Sequence, residues 1–260
     1  MPLPPSLRSV MAMPELLASD GVRLVVDVTG PDDAPTVVLV HGLAASVDLG
    51  WRATGVLDRL ADAALRIVAF DARGHGRSDA PREPESYGDE RAAADLTEVV
   101  SAFAGPAPVI VGYSMGSATA LWALAAGLHA RAAVLGAVPA AVLEWSPADE
   151  ALATTAVAVL EGRTPPDPAM RWWVDFLDAT GADRLALAAL LGRHRPVIEH
   201  WEAITTPIVV AAGVDDGGAA PAPALLARLA DARAIELPGD HVGAAASPAF
   251  TDAVIEVARR

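Results

Sequence analysis

The sequence predicts an α/β fold with a mostly parallel central sheet, and three observations carry that expectation. Short runs of apolar, β-branched residues alternate with longer Ala- and Leu-rich stretches of helical period. The short runs are continuous rather than alternating, as in strands buried on both faces of a parallel sheet. Gly-rich turns follow several of them, where such sheets place their ligand sites.

Taken in order, residues 22–28 have strand character and lead into the turn Gly30-Pro31-Asp32-Asp33. Residues 36–40 form an apolar run between Pro35 and His41-Gly42. Further strand runs are 66–70, 108–111, 132–135, 207–211 and 234–237. Within 89–103, Leu96, Val99, Val100 and Phe103 fall at i, i+3, i+4 and i+7, with Asp89 available as N-cap. Residues 115–127, 223–230 and 248–258 are also helical in pattern.

One segment breaks the rhythm. Residues 137–206 have helical patterning and no strand run, and they hold Trp145, Trp172, Trp173, Phe176 and Trp201. With the cluster Pro165, Pro166 and Pro168, this segment reads as an inserted helical layer.

Composition narrows the chemistry. All 19 basic side chains are Arg, and Cys is absent. Schiff-base and phosphate-loop lysines, cysteine nucleophiles, Cys-ligated zinc and disulfides are therefore excluded. Hydrophobic residues make up 53% and charged residues 20%, enough for a sizeable core. The net charge of −14 argues against nucleic acid and anionic membrane surfaces as partners. Residues 1–20 carry Pro2, Pro4, Pro5, Pro14 and Glu15 and do not read as a targeting segment. The most apolar stretch, 116–143, is broken by Gly127, His129, Arg131 and Gly136, so no membrane span is expected. The expectation is a cytoplasmic protein acting on a small molecule, its oligomeric state unreadable.

The strongest motif is Gly112-Tyr113-Ser114-Met115-Gly116, a G-x-S-x-G between a strand run and a helical stretch. A serine on a sharp strand-to-helix turn needs small neighbours, and its hydroxyl then stands at the carboxyl end of the sheet. The N–H of Met115 lies at the start of the helix, where partial positive charge favours an oxyanion. After the strand run 36–40, Gly42 allows close backbone approach and the N–H of Leu43 becomes the second donor. His41 reads as a tie for that loop rather than as a catalytic base. In Asp71-Ala72-Arg73-Gly74-His75-Gly76-Arg77-Ser78, no lysine follows the Gly-rich turn. It reads as a turn with Asp71 and Arg73 in a structural network.

These segments, in this order, resemble the α/β-hydrolase superfamily across nearly the whole chain, from about residue 21 onward. The resemblance implies a helical cap inserted after the sixth strand. The core would comprise 1–136 and 207–260, and the cap 137–206. It also implies the chain order Ser, acid, His. Of the six histidines only His241 lies beyond the strand run 207–211 and the acids that follow it, Asp215 and Asp216. Ser114, Asp216 and His241 are then the catalytic triad, with Asp215 as the alternative acid. Many relatives carry glycine before the histidine, whereas this chain has Asp240, a carboxylate placed to face either the imidazole or solvent.

The implied reaction is ester hydrolysis through an acyl-enzyme on Ser114, with no metal or organic cofactor. Alternatives with the same triad are an enol-lactonase, a C–C bond hydrolase of aromatic breakdown, and a cofactor-free haloperoxidase or perhydrolase activity. A ligand-binding member without turnover is a non-enzymatic alternative that the intact triad opposes. Epoxide hydrolases and dehalogenases of the superfamily use Asp where this chain has Ser114. Trp145, Trp172, Trp173 and Trp201 are candidate apolar walls for the substrate, or else the core of the cap itself. Arg193-His194-Arg195 reads either as a carboxylate site or as the cationic end of a helix.

Overall fold

The computed structural model describes residues 14–193 and 197–260. Eight strands form one sheet: β1 (Glu15–Leu17), β2 (Arg23–Thr29), β3 (Thr36–Val40), β4 (Arg66–Phe70), β5 (Val109–Tyr113), β6 (Ala132–Gly136), β7 (Ile208–Gly213) and β8 (Ala232–Leu237). Their order is β1-β2-β4-β3-β5-β6-β7-β8. The pairs β1–β2 and β2–β4 are antiparallel, and every other pair is parallel.

The helices are α1 (Val56–Asp62), α2 (Asp89–Val99), α3 (Met115–Ala125), α4 (Pro147–Leu160), α5 (Pro168–Thr180), α6 (Arg184–Leu191), α7 (Ala222–Leu226), α8 (His241–Ala245) and α9 (Pro248–Arg259). The sheet divides the core in two because successive side chains point to opposite faces. Val38 and Val40 join the cluster with Leu96 of α2 and Leu121 of α3. Val37 and Leu39 join the other, with Leu60 of α1 and Val254 of α9. Strands β3 to β6 are buried along almost their whole length, which is why they read as continuous apolar runs.

The edges differ from the sequence expectation. β1 has three residues with little burial, too short to leave a hydrophobic pattern. β8 is an edge strand with exposed Arg233 and Glu236, not a fully buried one. Helix α2 begins at Asp89 with Gly88 in the cap position, so Asp89 is a first-turn acid rather than the N-cap. There it faces the positive end of the helix dipole.

Between β6 and β7 the chain forms α4, α5 and α6, and no strand among the described residues. Each helix starts from its own sequence signal. Ser146 and Asp149 make a reciprocal capping box at α4, with Pro147 at the first position. Asp167 caps α5 ahead of Pro168, and Gly181 closes it at φ 71°. Asp183 caps α6 through the N–H groups of Leu185 and Ala186. Leu160, Leu177, Leu187 and Ala188 of these helices pack with Ala44, on the loop after β3. The helical layer therefore lies against the carboxyl ends of the strands.

Candidate active site

Parallel strands end at one edge of a sheet, so loops distant in sequence meet there. Ser114 follows β5, Asp216 follows β7 and His241 follows β8. The structure joins them in one hydrogen-bonded chain. His241 Nδ1 lies 2.8 Å from Asp216 Oδ2, and His241 Nε2 lies 3.1 Å from Ser114 Oγ. The carboxylate fixes the tautomer: Nδ1 donates to it, leaving Nε2 to accept from the serine. The Asp216 side chain is only 2% exposed, whereas that of His241 is 45% exposed and open to an incoming molecule.

Ser114 sits at φ 54° and ψ −120°, a conformation that costs an L-residue about 1–3 kcal/mol. The surroundings enforce it. Ser114 N–H donates to Gly136 O at 2.9 Å, and Ser117 Oγ donates to the same carbonyl at 2.7 Å. The two motif glycines have steric reasons. A Cβ on Gly112 would lie 2.6 Å from Gly116 O, and one on Gly116 would collide with the Val40 carbonyl. Helix α3 can start this close to β3 and β5 only without those carbons.

Leu43 and Met115 both border the cavity beside Ser114. Gly42 brings the β3 loop against the serine: a Cβ there would stand 3.3 Å from Ser114 Cβ. The two residues expected to supply oxyanion donors thus border the same cavity as Ser114.

Of the two adjacent acids, Asp216 faces the histidine. Its other oxygen accepts from Gly218 N–H at 3.1 Å. Asp215 is exposed, and its N–H donates to Gly239 O at 3.1 Å. Asp240 does not face the imidazole. Its Oδ1 accepts from Val242 and Gly243 N–H, capping the short helix that carries His241. The departure from glycine thus supplies a helix cap.

Tyr113 had no functional signal in the sequence beyond its place in the motif. Its hydroxyl donates to His241 O at 2.7 Å, and its ring meets the imidazole edge-on at 5.6 Å. Burial, with the charges of Asp216 and Asp240, pushes the phenol pKa up, so it remains a donor.

His41 is fully buried and ties down its loop, as expected. Its Nδ1 donates to Gly42 O at 2.8 Å, and its Nε2 accepts from Ala72 N–H at 3.0 Å. Burial pushes its pKa down. Asp71 accepts from Val47 N–H at 2.7 Å and Arg77 N–H at 2.9 Å. Arg73 grips Asp95 with two nitrogens at 2.6 and 2.8 Å. These are the networks that hold the turn after β4.

A cavity of about 540 Å³ opens from Ser114 beneath the helical layer. Trp145, Trp172 and Trp173 line it, joined by Trp122 of α3, which the sequence did not single out. Trp172 stands 66% exposed. Trp201 is a correction: it is 7% exposed and packs into the sheet core with Ile198 and Ile204, away from the cavity. It follows the helical layer and docks its chain back onto the sheet. The ionisable residues that border the cavity are Asp89, Asp149 and Asp167; no cationic side chain among the described residues does so. Arg193 borders a smaller adjoining cavity, and His194 and Arg195 lie outside the described residues. Among the described residues no three His, Asp or Glu side chains cluster as metal ligands, and no helix is long and apolar enough to cross a membrane.

Comparison with known proteins agrees with this architecture. Residues 35–162 match the family model for the alpha/beta hydrolase fold. The AB hydrolase superfamily protein YfhM of Bacillus subtilis is 31% identical over 111 residues, 43% of this chain and 37% of that protein. Epoxide hydrolase A of Mycobacterium tuberculosis is 36% identical over 107 residues, 41% of this chain and 32% of that protein. These matches thus span about a third of the relatives' length. An esterase from Exiguobacterium antarcticum superposes with a TM-score of 0.74 at 20% identity, covering 95% of this chain and 99% of that one. The enol-lactonase of Burkholderia xenovorans does so at 0.70 and 23% identity, covering 95% and 100%. At those identities the likeness is one of fold. Family model, sheet order and strand-to-helix serine turn together establish that the chain belongs to the α/β-hydrolase superfamily.

Proposed function

We propose that the protein is a serine esterase acting on an uncharged small or medium carboxylic ester. The observation that carries this reading is the unbroken chain Asp216–His241–Ser114 at 2.8 and 3.1 Å. A neutral serine is a poor nucleophile, and an adjacent base activates it. His241 Nε2 takes the hydroxyl proton as Ser114 Oγ bonds to the ester carbonyl carbon. Asp216 holds the ring and stabilises the imidazolium that forms.

The negative charge then on the former carbonyl oxygen is held by the N–H groups of Leu43 and Met115. Each such donor is worth about 3 kcal/mol in the transition state. Collapse breaks the ester C–O bond, and His241 returns its proton to the departing alcohol. Water, deprotonated by the same histidine, releases the acid and restores Ser114. No step needs a cofactor.

Residues 137–206 act in this reading as a cap that roofs the site. Apolar walls favour an apolar substrate, and bordering carboxylates oppose an anionic one. Ser114 also separates this site from an epoxide hydrolase, whose nucleophile is a carboxylate. The test is Ser114→Ala assayed on p-nitrophenyl esters, with fluorophosphonate labelling mapped by peptide. Loss of turnover and of label is expected; retention of both would remove the assignment. A parallel panel of esters, lactones and carboxylated ring-cleavage products reads the substrate class.

A further inference from the structure

The active-site cavity is directional. Met115, Ala118 and Trp122 all border it. They stand at i, i+3 and i+7 of α3, so they share one helix face. Measured along the helix axis, that face runs about 10 Å from the start of α3 to Trp122. Val142 and Trp145 border the cavity from the segment after β6.

Trp122 also borders a second space. A groove of about 380 Å³ lies between α2, the end of α3 and the segment before Trp201. Glu90, Glu199 and His200 give it a polar, solvent-facing rim. Apart from Trp122 the two spaces share no bordering residue. The indole is half-buried and packs at the margin of the sheet core, which holds it in place.

We infer that Trp122 is the specificity-determining partition of the site. It closes the far end of the apolar channel and so sets the longest substrate arm that can lie along α3 with its carbonyl at Ser114. The inference rests on the reading of Ser114 as nucleophile. An arm longer than the channel meets the face of a large rigid ring and must leave apolar surface in water. An arm that fits buries its whole length. With the indole removed, the channel runs through into the outer groove and accepts longer chains.

Two ester series test this, one extending the acyl chain on a p-nitrophenyl leaving group and one extending the alcohol of a fixed acid. In the wild type, kcat/KM rises with length and then falls in one series. In Trp122→Ala the fall moves to longer chains, and the long-to-short ratio of kcat/KM rises by about tenfold or more. Trp122→Phe, which keeps a smaller ring, shifts less. Ala118→Leu narrows the channel nearer the serine and moves the fall to shorter chains. Thermal melting shows which variants are folded. A wild type with no length limit in either series overturns the inference without needing any variant. So does a folded Trp122→Ala or Ala118→Leu whose profile matches the wild type. Activity that survives Ser114→Ala overturns the underlying assignment instead, so the two failures are distinguishable.

Discussion

Tyr113 donates its phenolic proton to the backbone carbonyl of His241 at 2.7 Å, across 128 positions of sequence. The residue beside Ser114 thereby fixes the loop that carries His241. Phe250 packs edge-on against the same ring at 5.5 Å and keeps it in place. The distance from His241 Nε2 to Ser114 Oγ depends on this brace as well as on Asp216.

Tyr113→Phe keeps the ring and removes only that bond. Stability is expected to fall by about 1 kcal/mol. In the proposed reaction kcat should drop about tenfold with KM little changed, because misplacement of the base weakens the transition state more than binding. Steady-state kinetics on one ester, beside urea unfolding, checks both. An unchanged kcat would show that Asp216 alone positions the ring.

The two neighbouring acids should behave very differently. Asp216→Asn exchanges the acceptor beside His241 Nδ1 for an amide that can present a donor and favour the wrong tautomer. A loss on the order of 10⁴-fold in kcat is expected. Asp215→Asn, at an exposed side chain, should stay within about twofold of wild type. Equal losses in both would break the distinction.

Gly116→Ala tests the steric basis of the serine turn. The added methyl would meet the Val40 carbonyl, so α3 would have to move off β3. A destabilisation of about 3 kcal/mol or more is expected, read as a lowered melting temperature or loss of soluble protein. Gly162→Ala provides the contrast: at φ 73° it is strained, but a Cβ there meets nothing within 4 Å. Its cost should therefore be the smaller one.

Stability should also depend on two buried histidines. Burial, with the charge of His41, pushes His75 down to about 3, and burial pushes His41 down as well. In the unfolded chain both titrate near 6.5. Below that value the unfolded state binds protons that the folded state refuses, so stability is full above about pH 6.5 and declines as pH falls towards the folded values. Urea midpoints should decrease steadily from about pH 6.5 down to about pH 5. His75→Asn should flatten that slope. A slope the variant leaves unchanged would assign the acid sensitivity to other groups.

Local rules made much of this protein legible in its sequence. The central strands are buried on both faces and so appear as unbroken apolar runs. Helices α4 and α5 are capped locally at Ser146-Pro147 and Asp167-Pro168, though the sequence pattern resolves only one helical layer over residues 137–206. The serine turn is visible because its geometry tolerates only glycine at fixed offsets. Other features depend on what approaches from elsewhere in the chain. Strand β1 exists only by pairing with β2. Trp122 and Trp201 are alike in composition, yet one borders the cavity and the other fills the core. The sequence by itself determined the central strands and the serine turn, both set by short-range pattern, while the order Ser114, Asp216, His241 came with the resemblance to the superfamily. Tertiary structure decided that Asp216, the preferred acid, and not its alternative Asp215 meets His241, that Tyr113 braces it, and which indoles border the cavity. Those depend on the direction a side chain takes once distant loops converge at the carboxyl edge of the sheet.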